Sequence, residues 1–262
     1  MKTVRPRTAV SAHLPSSVTH RLIVALSILM TFTSACGLKL PSQINLPTAA
    51  TATDHPSHQV EVVSFTQVGD SLSVRLRNPN PHVGLVRSPF ELAMIDKAGA
   101  VIATEGQGGV PGAAVNTIYQ LPPGGEFGLD ISGLPSGKTV ASVELTVLGE
   151  WLKWDTVNPP LVTVTDEAVL PDSGSKYSGP SVTGRLTLDK DGPLNVVIIA
   201  FVKTSAGTVV SDVYVDCTRT GQHRTFQTRT FADARGPYEL DKIVAYTTSV
   251  KGAGPQFQPP HC

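Results

Sequence analysis

The residues of this 262-residue chain that could do chemistry are few, and most are explained by local structure. His55-Pro-Ser-His58, with Asp54 beside it, offers two imidazoles and a carboxylate to a metal. No Cys or His cluster elsewhere in the sequence completes the three or four rigid ligands that a site needs, and the segment has linker composition. Asp189-Lys-Asp191-Gly192 places two carboxylates in a tight loop but lacks the alternating ligands and bidentate Glu of a calcium loop, so an Asp-Gly turn accounts for it. Gly106, Gly108, Gly109 and Gly112 have the wrong spacing for a phosphate cradle, and no G-x-S-x-G nucleophile elbow occurs. His223, near Arg219, Arg224 and Arg229, reads as a solvated basic sheet face, with an anionic wall or lipid polymer as the alternative partner. These residues give no catalytic constellation, metal site or cofactor site, and the expectation is a protein without enzymatic activity. Two features stand apart. Trp151 and Trp154, the only tryptophans, are three residues apart; in an extended strand they point to opposite faces, one into a core and the other toward a domain junction or a partner. The three cysteines, Cys36, Cys217 and Cys262, carry the thiol chemistry.

The elements that position these residues are short strands. From Val60 apolar and polar residues alternate: Leu72, Val74 and Leu76 interleave with Ser71, Ser73, Arg75 and Arg77, giving one buried and one wet face, and Asn78-Pro-Asn80-Pro81 stops the strand. Phe90, Leu92 and Met94 open a hairpin whose turn falls at Lys97-Ala-Gly99. Strands follow around Phe127 to Ile131 and from Val140 to Trp151. After an acidic, Pro/Ser/Gly-rich stretch the plan repeats: SVTGRLTL echoes SLSVRLRN, the hairpin from Leu194 with Ala206-Gly207 echoes the one at Phe90, and CTRTGQHRTFQTRTF echoes LPPGGEFGLDI. A period near 110 residues marks duplicated units rather than a solenoid. Twenty-three Gly and 21 Pro, in units of about 100 residues, predict an all-β fold of two tandem Ig-like or fibronectin-like β-sandwich domains.

Ahead of them, Leu22 to Ala35 is an apolar run too short to span a bilayer comfortably, preceded by basic residues and closed by small ones, as in a secretory signal. An organellar transit peptide is the weaker alternative, because the basic residues precede a continuous apolar block. The terminal Thr33-Ser-Ala-Cys36 resembles the lipobox of bacterial lipoproteins, although Thr33 stands where that family usually has Leu. The resemblance implies that Cys36 is diacylated, becomes the first mature residue and holds the chain in membrane lipid, facing outside the cytoplasm. A cysteine just past a conventionally cleaved signal is the competing reading. If Cys36 takes the lipid, Cys217 and Cys262 remain as an even pair in an oxidising compartment, which predicts a disulfide; free or intermolecularly paired thiols are the alternative. Beyond Cys36 the chain carries 17 basic and 21 acidic side chains with no block of like charge, which argues against a nucleic-acid partner.

The predicted organisation is therefore a signal peptide at 1–35, the lipidated Cys and a flexible tether at 36–58, a first β-sandwich at 59–164, a linker at 165–179 and a second β-sandwich with an irregular tail at 180–262. The second unit, through Val182 to Leu188 and Leu194 to Val210, resembles the FxLYD type of bacterial extracytoplasmic domain, departing from it at Lys203, Thr204 and Ser205; the first, through Arg75 to Pro81, resembles the WHy relatives of late-embryogenesis-abundant proteins. Both resemblances imply sandwiches without an established catalytic centre. The expected function is a lipid-anchored, non-catalytic binding or scaffolding module of the cell envelope whose partner is an envelope protein, glycan or lipid. An accessory lipoprotein of a transporter or secreted enzyme is the first alternative, and a hydrolase with a scattered site the second. A pocket lined by perturbed carboxylates or histidine favours the hydrolase, and an exposed tryptophan favours a partner.

Overall fold

A computed structural model describes residues 58–106, 117–171 and 179–250. Cys36, Cys262, the signal peptide, the tether up to Ser57 and the end of the C-terminal tail lie outside them. The described residues fold as antiparallel β-structure: β1 (Glu61–Val68), β2 (Ser71–Arg77), β3 (Val83–Ile95), β4 (Val101–Gly106), β5 (Thr117–Leu121), β6 (Glu126–Ile131), β7 (Ser142–Val147), β8 (Trp151–Lys153), β9 (Val162–Leu170), β10 (Ser181–Leu188), β11 (Leu194–Thr204), β12 (Gly207–Thr218), β13 (Arg224–Gln227) and β14 (Glu239–Thr247), with one 3-10 turn at Trp154–Thr156. No helix among them is long and apolar enough to cross a membrane. This is an all-β, sandwich-type fold.

The strands form four sheets: β1-β2-β6, a β3-centred sheet that adds β4, β5, β7 and β8, then β9-β10-β13 and β12-β11-β14. The sequence repeat has a counterpart in this topology. β2 pairs with β1 and β6 as β10 pairs with β9 and β13, and the β3–β4 hairpin takes β7 on its other side as the β11–β12 hairpin takes β14. The turn at Asp96 to Ala100 closes the first hairpin, with the Ala98 and Ala100 N–H groups donating to Asp96 Oδ1.

Two expectations change in the folded chain. Residues 165–170 of the predicted linker are not linker but part of β9, which pairs along β10 from Ser181↔Leu170 to Leu188↔Val162. Pairing with β10 satisfies the backbone there and draws the boundary of the second half forward to Val162. The face of β2 expected to be wet is covered over its first half: Ser71 and Ser73 are almost inaccessible, because the β1-β2-β6 sheet lies against β11 and β12 of the second half, while Arg75 is partly covered and Arg77 stays exposed. β11 accordingly buries both faces. Val197, Ile199 and Phe201 join the core of the first half with Leu72, Val74, Phe90 and Phe127, while Val196 and Ile198 pack with Leu186 and Phe226, and Ala200 and Val202 with Val182. The described residues form one compact unit with a core continuous across both halves.

Where the two halves meet, one side is polar and the other apolar. From β2 and β6 come Ser73, Arg75, Glu126 and Asp130; from β11 and β12 come Ile199, Phe201 and Val210. Gly128 fits between, since a Cβ there would stand 2.7 Å from Ile199 Cγ2 and 2.8 Å from Val210 Cγ1. The Arg75 guanidinium lies 4.5 Å over the Phe201 ring and reaches Glu126 and Asp241, each at 2.7 Å.

Candidate functional site

The folded chain separates the two tryptophans by local geometry. Trp151 is in β8, paired with Leu85, and its indole packs on the first core with the His58 ring 5.5 Å away. The strand ends at Lys153 and the chain turns into the 3-10 segment, so the alternation expected of a strand does not extend to Trp154. Trp154 is half-buried, and its benzo ring lies where a side chain on Gly84 would be, a position only glycine leaves open. Trp154 also lines a groove of about 610 Å³.

Three segments wall this groove. Pro81 and His82 lead into β3 at Val83, Pro122 and Pro123 follow β5, and Lys153 ends β8 with Trp154 and Asp155 behind it. Asn78, fully buried in the N-P-N-P turn, ties two of them together. Its Nδ2 donates toward the carbonyls of Val83 at 2.7 Å, Pro122 at 3.1 Å and Leu121 at 3.2 Å, its N–H donates to the Gly125 carbonyl at 3.0 Å, and its own carbonyl accepts from Gly124 N–H at 2.9 Å. The Trp154 N–H donates to the His82 carbonyl at 2.9 Å, which fixes the third wall to the first. Asn78 Oδ1 accepts from the Asn80 backbone and side chain, and Asn80 Oδ1 meets His58 Nδ1 at 3.2 Å. The groove is thus set by a buried amide, rigid prolines and backbone bonds, which is the preorganisation that binding sites need.

The remaining candidates are placed as follows. Asp189 Oδ1 accepts from Leu161 N–H, and Asp191 has a φ of 61°, so the Asp-Lys-Asp-Gly loop is a turn. Among the described residues no group of three or more His, Cys, Asp or Glu is placed to hold a metal. His223 Nδ1 meets Thr187 Oγ1 at 3.0 Å, and Arg224 donates to the Asp216 carbonyl. On the face of β10, an open depression of about 490 Å³ is lined by Thr183, Arg185 and Thr225 among others. Cys217 is the next-to-last residue of β12, at a register shift against β11, with a φ of 51° and its N–H donating to Asn195 Oδ1 at 2.8 Å. Cys36 and Cys262 are outside the described residues.

Sequence reasoning missed a buried pair of carboxylates. Burial pushes Asp130 up to about 8, opposed by the Phe231 N–H and reinforced by Asp212; burial pushes Asp212 up to about 6. Neither lines either groove, and both Asp130 oxygens have partners: Oδ2 accepts from Phe231 N–H at 2.5 Å and Oδ1 lies 3.5 Å from Ser73 Oγ. Asp130 therefore joins the halves of the molecule.

No family model matches the chain, and no curated protein matches it.

Proposed function

We propose that this protein is a lipid-anchored lipoprotein of the cell envelope, held in the outer face of a membrane through acylated Cys36, and that it acts as a non-catalytic binding or scaffolding module whose partner contacts Trp154. The anchoring half of the reading rests on the apolar run from Leu22 to Ala35 and on the lipobox-like Thr33 to Cys36. The binding half is carried by one observation: a half-buried tryptophan in a groove whose walls are pinned by the fully buried Asn78. An indole kept partly exposed on a rigid surface keeps apolar area available to a partner. The FxLYD-like and WHy-like character of the two halves belongs to the same proposal. So does a Cys217–Cys262 disulfide, which is supported by the even pair of cysteines that remains once Cys36 takes the lipid.

Anchoring is tested by Cys36→Ser, which is expected to release the chain from the membrane fraction or leave an uncleaved, unlipidated precursor; an acyl label persisting on the variant refutes it. Binding is tested by capture from envelope extract with the full chain beside Trp154→Ala. Enrichment of a protein, glycan or lipid that depends on Trp154 supports the reading. Equal profiles from the two chains count against it.

A further inference from the structure

The chemistry of the groove narrows what it can hold, given the reading of the protein as a binding module. Pro81, Pro122 and Pro123 have no N–H, so those walls cannot donate to the main chain of an added peptide strand. Proline-rich peptides dock in aromatic-lined grooves, and Trp154 is the one aromatic ring apart from the His82 imidazole among these lining residues. Lys153 and Asp155, one cation and one anion, flank the indole, so the rim has no net charge to select an anionic polymer, and exposed His82 adds a further polar edge. An acyl chain would make no use of these exposed polar groups, whereas hydroxyls can pair with them. What remains complementary is a ligand with a flat apolar face, a rim of neutral hydroxyls and no charge. We propose that the Trp154 groove binds a neutral pyranose glycan, one sugar ring stacking on the indole while Lys153, Asp155 and His82 exchange hydrogen bonds with its hydroxyls.

The test is calorimetric titration of the full-length chain in detergent with neutral trisaccharides of glucose, mannose and N-acetylglucosamine, and in parallel with a proline decapeptide. At least one trisaccharide is expected to bind with an affinity that salt leaves unchanged. Trp154→Ala is expected to weaken it about tenfold or more, with Trp154→Phe losing less, because a ring face remains. Because Trp154 also packs on Gly84, the rim variants Lys153→Ala and Asp155→Asn supply an independent check, each expected to weaken binding severalfold without changing the unfolding midpoint. Failure of all three sugars, or sugar binding indifferent to both Trp154 and the rim, overturns the proposal. Trp154-dependent binding of the decapeptide alone overturns the glycan assignment and leaves the binding-module reading standing. Indifference of envelope capture to Trp154 removes that reading as well.

Discussion

Asp130 on β6 accepts a hydrogen bond from the backbone N–H of Phe231 at 2.5 Å, joining residues 101 positions apart across the seam between the two halves. Ser71 Oγ donates to the Phe231 carbonyl at 3.0 Å, so the same peptide segment is gripped from both sides. Asp130 is 6% exposed, and burial pushes its carboxyl up to about 8 against roughly 3.9 in an unfolded chain. The folded protein therefore binds more protons than the unfolded chain between those values. The stability that Asp130 contributes is fully present below the unfolded value and is lost as pH rises toward 8, where the ionised carboxylate sits buried near Asp212. Urea unfolding at pH 5 and pH 8.5 should show this loss, and Asp130→Asn, which keeps an acceptor for Phe231, should flatten it. Equal slopes in the two proteins would contradict the assignment.

Arg75 holds the seam at a second point. Its guanidinium is shared between Glu126 and Asp241 while stacked over Phe201, and Lys242 also reaches Glu126 at 3.2 Å. The Arg75 side chain keeps 17% of its surface, so the loss on truncation falls short of that for a fully buried pair. Arg75→Ala should cost about 1–3 kcal/mol, and Arg75→Lys should recover part of it while losing the fork. The urea midpoint at low and high salt measures both, and a midpoint unchanged from wild type would refute the role.

Asn78 and Gly84 set the groove from beneath. Asn78→Ala leaves buried carbonyls without their donor and should cost about 2–3 kcal/mol. Gly84→Ala places a Cβ 2.8 Å from the Leu121 carbonyl and inside the space of the Trp154 ring. It should cost about 1–3 kcal/mol, shift tryptophan emission to the red and abolish Trp154-dependent binding. An unshifted spectrum would mean that the indole does not depend on Gly84.

The proposed Cys217–Cys262 bridge closes a loop of about 45 residues, which on the chain-entropy model stabilises by about 4 kcal/mol. Cys217→Ser and Cys262→Ser should each lower the thermal midpoint to the value of the reduced wild type. Peptide mapping without reductant that recovers both thiols alkylated would exclude the bridge.

Strand positions were legible in the sequence because the period of two and the residues that stop a strand are local properties. The Lys97-Ala-Gly99 turn and the doubled plan of the chain lie where alternation and Gly/Pro punctuation put them. Alternation also assigned polar residues to water, and here it misread Ser71 and Ser73, since a polar face that meets solvent and one that meets another sheet have the same pattern. The continuous apolar run of β11 was the available signal that some sheet is covered on both sides. Asp130 was invisible for the same reason: nothing within β6 distinguishes a carboxylate that will be buried by β12 and Phe231.

Sequence by itself determined the all-β class, the turn positions and the expectation of an N-terminal lipid anchor, each of which depends on residues near one another in the chain. Only the tertiary structure decided that the two halves share one core, that β9 replaces the start of a linker, and that Pro81, Pro122 and Trp154 wall one groove. Those outcomes depend on which surfaces meet, and that is fixed by packing between segments tens of residues apart, with Asn78, Arg75 and Asp130 as the polar pins that hold the register.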